Sequence, residues 1–229
     1  VADTVARLDA LHRRRDDPKA LAEERKLADG AVARWGADYG VLWRAARVYL
    51  WLGDDPLMPA EQRSKLGKIG WDLAERAIVA NPRDGIGFFW AALNMGTYAL
   101  GLGVVKALSI GLEGKFKERL ERAEQMVPAY EFGAVGVAWG RFYELLPWPK
   151  RDRKKAEEHL RRVLAAHPHN LRARVFLADT LQKDDRAPEA KRLLEEVAAA
   201  PVGKYDAPEE RRAKAMGVGL MPSVMKRMD

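Results

Sequence analysis

A chain of 229 residues, 48% hydrophobic and 32% charged, can bury a core and is too apolar to belong with disordered sequences. Its net charge of +7, with an isoelectric point near 9.6, favours anionic partners and leaves the fold open. Cysteine is absent, which excludes disulfides, thiolate metal sites and a cysteine nucleophile.

Residue 1 is valine and no basic-then-apolar leader precedes the first helical pattern, so a trimmed chain or a removed signal peptide is expected. In chain order, apolar periodicity near 3.6 predicts a helix pair within 2–36, then hairpins at 39–80, 84–127, 130–167 and 170–200. A short helix within 207–217 is expected to cap the last hairpin. Stripes such as Leu66, Ile69, Gly70, Leu73 and Ala77, or Ala156, Leu160, Val163, Leu164 and His167, mark the faces expected to be buried. Alternating strand patterns are lacking.

From Gly85 to Val105 run 21 residues without a charge, long enough to suggest a membrane span. Five glycines, Asn94 and Thr97 interrupt the segment, and amphipathic helices flank it. A buried central helix is the favoured expectation.

The second helix of each hairpin ends at a proline: Pro82, Pro128, Pro168 and Pro201, spaced 46, 40 and 33 residues apart. A small or β-branched residue (Ala77, Ala123, Val163, Val197) precedes each, letting a neighbouring helix approach. The last spacing is close to the roughly 34 residues of a tetratricopeptide repeat, and the earlier ones imply insertions. Paired aspartates recur inside hairpins at Asp16-Asp17, Asp54-Asp55 and Asp184-Asp185, each followed by proline, and are expected to cap helix starts. The fold class expected is all-α: a tetratricopeptide-like α-solenoid of degenerate hairpins with 11 or 12 helices. The whole of 1–229 reads as a single domain, with an N-terminal pair at 1–38, repeats at 39–201 and a capping helix and tail at 202–229.

Catalytic patterns do not emerge. His12, His159, His167 and His169 form no zinc-ligand spacing, and Gly101-Leu102-Gly103 lacks a third glycine and a preceding strand. No Walker loop or nucleophile elbow is present, so neither cofactor nor metal is expected. Arg13 to Arg15 and the run Lys150 to Lys155 read first as solvated helix ends. Without interleaved aromatics they do not suggest nucleic acid, though contact with an anionic membrane surface or an acidic partner stays open.

The segment 129–194 carries a more specific pattern: Tyr130, Gly133, Gly140-Arg141, Tyr143, Leu146-Pro147, Lys155-Ala156, His159-Leu160, Pro168 and Leu177-Ala178. It resembles the tetratricopeptide-like T-components associated with bacterial TRAP transporters, and the stretches 42–47 and 88–96 fit the same pattern. The resemblance covers roughly 39–200. It implies a periplasmic or lipid-anchored helical protein that pairs with a substrate-binding component, holds an apolar or amphipathic ligand and can form homo-oligomers. Phe132-Gly133-Ala134 replaces the paired glycines usual in that family, and no lipid-attachment cysteine is present.

With Ala46, Gly140 and Ala178 in the small-residue slot of each first helix, the following residues would face a groove. The candidates are Trp43, Arg47, Trp90, Asn94, Arg141, Glu144, Arg172 and Asp179, with Gln182 beside them. An apolar floor with an arginine rim would suit a fatty acid or acidic peptide. The competing reading makes Trp43, Trp90 and Trp139 inter-helix core and pairs the arginines with nearby acids. The function expected is non-enzymatic binding, as an envelope transport component; the alternative is a general tetratricopeptide scaffold for proteins or peptides, in the cytoplasm.

Overall fold

The computed structural model describes residues 1–228 and contains, among them, twelve helices and no strand. In order these are α1 (Ala2–His12), α2 (Pro18–Arg34), α3 (Tyr39–Gly53), α4 (Ala60–Ala80), α5 (Gly85–Leu102) and α6 (Val104–Ser109). They continue with α7 (Leu112–Met126), α8 (Tyr130–Leu145), α9 (Arg153–Ala166), α10 (Leu171–Gln182), α11 (Ala187–Ala199) and α12 (Ala207–Lys226). The all-α solenoid of helical hairpins is thus the fold, with the helix count at the upper expected value.

Local chemistry sets the boundaries. Helices α4, α7, α9 and α11 each end two residues before a proline, and the residue between, Asn81, Val127, His167 or Ala200, leaves the helical φ/ψ region. A residue preceding proline is pushed out of the α region by the pyrrolidine ring, so the stop is steric. Starts are capped by side chains: Asp17, Asp38, Asp84, Asp152, Asn170 and Asp206 accept from backbone N–H groups in the first turns of α2, α3, α5, α9, α10 and α12. Each cap is worth about 1 kcal/mol.

Only the first aspartate pair behaves as expected. Asp17 caps α2, but Asp54 terminates α3 and Asp55 accepts from Leu57 N in a turn, while α4 starts later, at Ala60, with Pro59 in its cap position. Asp185 is left-handed (φ 56°), and Arg186 occupies the cap position of α11 without a side-chain bond. The separation between the aspartates and the next helix differs among the three turns, and capping needs direct adjacency.

The chain divides into two compact units, residues 1–127 and residues from 128 onward. In the first unit, α5 packs against α3, α4 and α7. Its contact with α4 is glycine-mediated. A β-carbon at Gly67 would fall 2.9 Å from the Asn94 carbonyl oxygen, and one at Gly70 would overlap the Asn94 side chain. Such close approach explains why the uncharged segment is a buried helix; no helix here is long and apolar enough to cross a membrane among the described residues. Ile69, in contrast, is exposed, because it points away from α5 beside Leu73 and Tyr49 in a shallow recess between α2, α3 and α4. Helix α6 interrupts the middle hairpin between Gly103 (φ 87°) and Gly111 (φ 77°), and Ala107 covers Met95 and Leu112.

In the second unit, Leu160, Leu177, Leu181, Leu194 and Val224 form the centre of the core. The capping helix is longer than 207–217 because it continues through Pro222 to Lys226. Met216, Leu220, Met221 and Val224 extend its apolar face along that core, and their burial offsets the hydrogen bond that proline removes.

Candidate functional site

The first helices of successive hairpins run parallel within each unit. In the first, Asp9 of α1 meets Arg44 and Arg47 of α3, while the Arg15 carbonyl accepts from Trp51 Nε1. In the second, Arg141 and Glu144 of α8 meet Asp179 and Lys183 of α10, and Arg172 and Gln182 of α10 meet Glu209 and Ser223 of α12. Rising residue numbers on both sides of every pair fix the parallel direction.

The arginines of the first unit are structural. Arg47 is only 7% exposed and donates to Asp9 Oδ1 at 2.8 Å, while Arg44 grips the same carboxylate at 2.8 and 2.9 Å. Burial raises the Asp9 pKa, but the hydrogen bonds and charges of Arg44 and Arg47 outweigh it and hold the carboxyl below its usual value. Both guanidiniums also stack on Trp43, at 4.0 Å for Arg44 and 5.1 Å for Arg47, leaving that indole buried. Trp90 is buried edge-on against Phe89. Asn94 is 0% exposed, and its amide donates to the carbonyls of Ala46 (3.1 Å) and Trp90 (2.9 Å), tying α5 to α3. Trp43, Arg47, Trp90 and Asn94 therefore sit in the interior of the unit.

Beneath this network lies a buried pair. Glu24 of α2 is fully buried and shares a hydrogen bond of 2.9 Å with His12 Nδ1. Burial pushes the Glu24 carboxyl up to about 7, against the lowering influence of Arg47 and Arg15. Burial, together with Arg47 and Arg15, pushes His12 well below its usual range. The pair is therefore most comfortable uncharged, with the carboxylic acid donating to a neutral imidazole.

The second unit presents a different surface. Arg172, Phe176, Asp179 and Lys183 follow one another at spacings of four, three and four along α10, which places them on one face. Arg141 crosses from α8 to reach Asp179 at 2.7 Å, and Lys183 reaches the same carboxylate at 2.9 Å and Glu144 at 3.3 Å. Burial works against Asp179, yet Arg141 and Lys183 hold its pKa below the usual value. Glu144 is buried beneath, approached by Arg153 at 3.5 Å. Arg141 and Arg172 both lie over the Phe176 ring, at 4.7 and 5.8 Å, and Arg172 pairs with Glu209. The Arg141 side chain is 31% exposed, so a ligand can reach its outer edge.

Of the sequence candidates, Arg141, Glu144, Arg172 and Asp179 are thus brought together. Phe176 and Lys183 complete the cluster and were missed, although their spacing from Arg172 and Asp179 was readable as one helical face. The small-residue slots are filled as the frame requires: Ala46 and Ala178 are fully buried, and a β-carbon at Gly140 would fall 2.6 Å from Leu160 Cγ.

Residues 150–207 match a family model described as tetratricopeptide repeat. Over 89% of this chain and 92% of the other, the fold is similar to TTC0263, a thermophilic tetratricopeptide protein of Thermus thermophilus, at 19% identity and a TM-score of 0.66. Weaker likenesses are to MamA (12% identity, TM-score 0.46, 88% of this chain and 95% of that one) and to yeast Tom70 (11%, TM-score 0.27, 92% and 60%). No curated protein sequence matches the chain. The family match and the Thermus structure support a tetratricopeptide-type fold.

Proposed function

We propose that the chain is a non-enzymatic scaffold that binds a protein or an extended peptide segment, with the α8–α10–α12 face of the second unit as the contact surface. The observation that carries this reading is the Arg141–Phe176–Arg172 arrangement: two guanidiniums on one aromatic ring, each held by a carboxylate that a ligand could replace. An incoming carboxylate would exchange with Asp179 for Arg141 while the Phe176 ring supplies apolar contact. Repeat stacks offer such faces to extended ligands because each hairpin adds one more first helix to the surface.

The test is a panel of synthetic acidic peptides titrated into the purified chain, followed by anisotropy. Arg141→Glu is expected to weaken the tightest peptide at least tenfold with unchanged helicity. Equal affinity for wild type and variant would remove this face from the binding surface.

A narrower reading makes the protein an envelope accessory of a TRAP-type transport system, in the periplasm or anchored to a membrane, holding an amphipathic ligand. It rests on the resemblance of 129–178, Gly140-Arg141, Tyr143 and Leu146-Pro147 above all. Adjacency of the gene to transporter genes and a natural N-terminus bearing a lipid-attachment signal would support it; a cytoplasmic protein encoded away from such genes would leave the scaffold reading alone.

A further inference from the structure

The hairpin tip between α8 and α9 exposes a tryptophan. Trp148 is 86% exposed, and Pro149, Lys150 and Arg151 after it are exposed as well, so the tip projects rather than lining a recess. The indoles of Trp43, Trp51, Trp90 and Trp139 are all buried. Leaving this large apolar ring in water is costly unless something covers it.

The surroundings of the tip indicate what that is. Because α8, α10 and α12 run parallel, their C-terminal ends share one end of the second unit. Beside Trp148, that end carries the exposed cations Lys150, Arg151, Lys154 and Lys155, and at the close of α12 it carries Lys226 and Arg227. Met225 and Met228 are exposed there too. Asp152 caps α9 and also pairs with Lys155 at 3.6 Å, Asp184 is exposed just after α10, and Asp185 faces Arg227 at 3.8 Å, so these three carboxylates only partly offset the six cations. A groove with pockets would suit a peptide, and a stacking platform of several aromatics would suit a nucleic acid. A single projecting indole ringed by long cationic side chains suits a flat, negatively charged interface. There the ring sits at headgroup level while lysines and arginines reach lipid phosphates.

We infer that this end of the second unit docks reversibly on an anionic lipid membrane, with Trp148 inserted at the headgroup level and the 150–155 cations against the lipid charge. The proposal is independent of the peptide-binding face, since Arg141 is not part of it.

The full chain should sediment with vesicles of phosphatidylcholine mixed with phosphatidylglycerol and not with phosphatidylcholine alone, and added salt should release it. Each cation near an anionic leaflet changes binding about fivefold. The reversal K150E/R151E/K154E should therefore weaken binding about a hundredfold or more. Reversing exposed lysines of the first unit, K19E/K26E/K106E, should cost much less. Trp148→Ala should weaken binding about tenfold, and wild-type tryptophan quenching by iodide should fall on vesicle binding. Both tip variants alter exposed side chains, and a circular-dichroism melt matching wild type verifies that they fold. No sedimentation with anionic vesicles, equal losses from both reversals, unaltered binding by Trp148→Ala, or tip-dependent binding to an RNA oligonucleotide or acidic protein with none to vesicles would each overturn the proposal.

Discussion

The Asn94 side chain occupies the space that any side chain at Gly70 would need, so α4 and α5 can meet only where residue 70 has no β-carbon. Asn94 cannot retreat, because its amide is held by the carbonyls of Ala46 and Trp90. Gly70→Ala is therefore expected to destabilise the protein by about 1–3 kcal/mol, the usual cost of overpacking. In Gly70→Ala/Asn94→Ala the clash disappears, and the combined loss should fall short of the sum of the single losses. Urea melts of the four proteins measure the coupling; strict additivity would mean the two residues do not constrain one another.

The Glu24–His12 pair gives stability a pH signature. Glu24 is raised from its usual 4.5 to about 7, so the stability its protonated form contributes is fully present below about 4.5 and lost as pH rises through about 7. His12 is lowered from 6.5, so its contribution is present above that value and lost as pH falls. Between the usual values of the two groups the slopes oppose each other, and above pH 6.5 only the Glu24 loss remains. Glu24→Gln should abolish the decline between pH 6.5 and 8, worth about 1 kcal/mol at most, and expose the His12 decline on the acid side. Denaturation at stepped pH reads both effects. A wild-type stability that does not fall above pH 6.5 would contradict the assignment.

Asp179 should act in the opposite sense. Its pKa is held below 3.8, so the stability from its pairing with Arg141 and Lys183 is present above about pH 3.8 and lost as pH falls through the lowered value. Asp179→Asn should cost about 1–3 kcal/mol at neutral pH and progressively less in acid. Thermal melts of both proteins at neutral and acid pH show whether the difference closes.

Asp185 holds a left-handed backbone (φ 56°) at 97% side-chain exposure, and its ion pair with Arg227 spans a loose 3.8 Å. Glycine adopts that conformation without a steric penalty, so Asp185→Gly should stabilise the turn by about 0.5–1 kcal/mol. Gly133, at φ 82°, has no such latitude: a β-carbon there would lie 2.7 Å from His167 Cδ2, and Gly133→Ala should destabilise by more than 1 kcal/mol. Melting temperatures that move in the same direction for both would contradict the backbone argument.

The helices and their ends were legible in the sequence because short-range forces set them. Proline excludes its predecessor from the helix at Asn81, Val127, His167 and Ala200 whatever the rest of the chain does, and the apolar stripes follow the helical period. The same local reading placed Arg141, Glu144, Arg172 and Asp179 on first-helix faces. It could not separate Arg47 from Arg141, since both follow a small residue in the same frame. Only the tertiary structure decided between them: Asp9, 38 residues away, draws Arg47 into the core, whereas Asp179, equally remote, leaves Arg141 partly in solvent. Burial of a charge is a property of the partners that surround it, and contacts between distant segments bring those partners together.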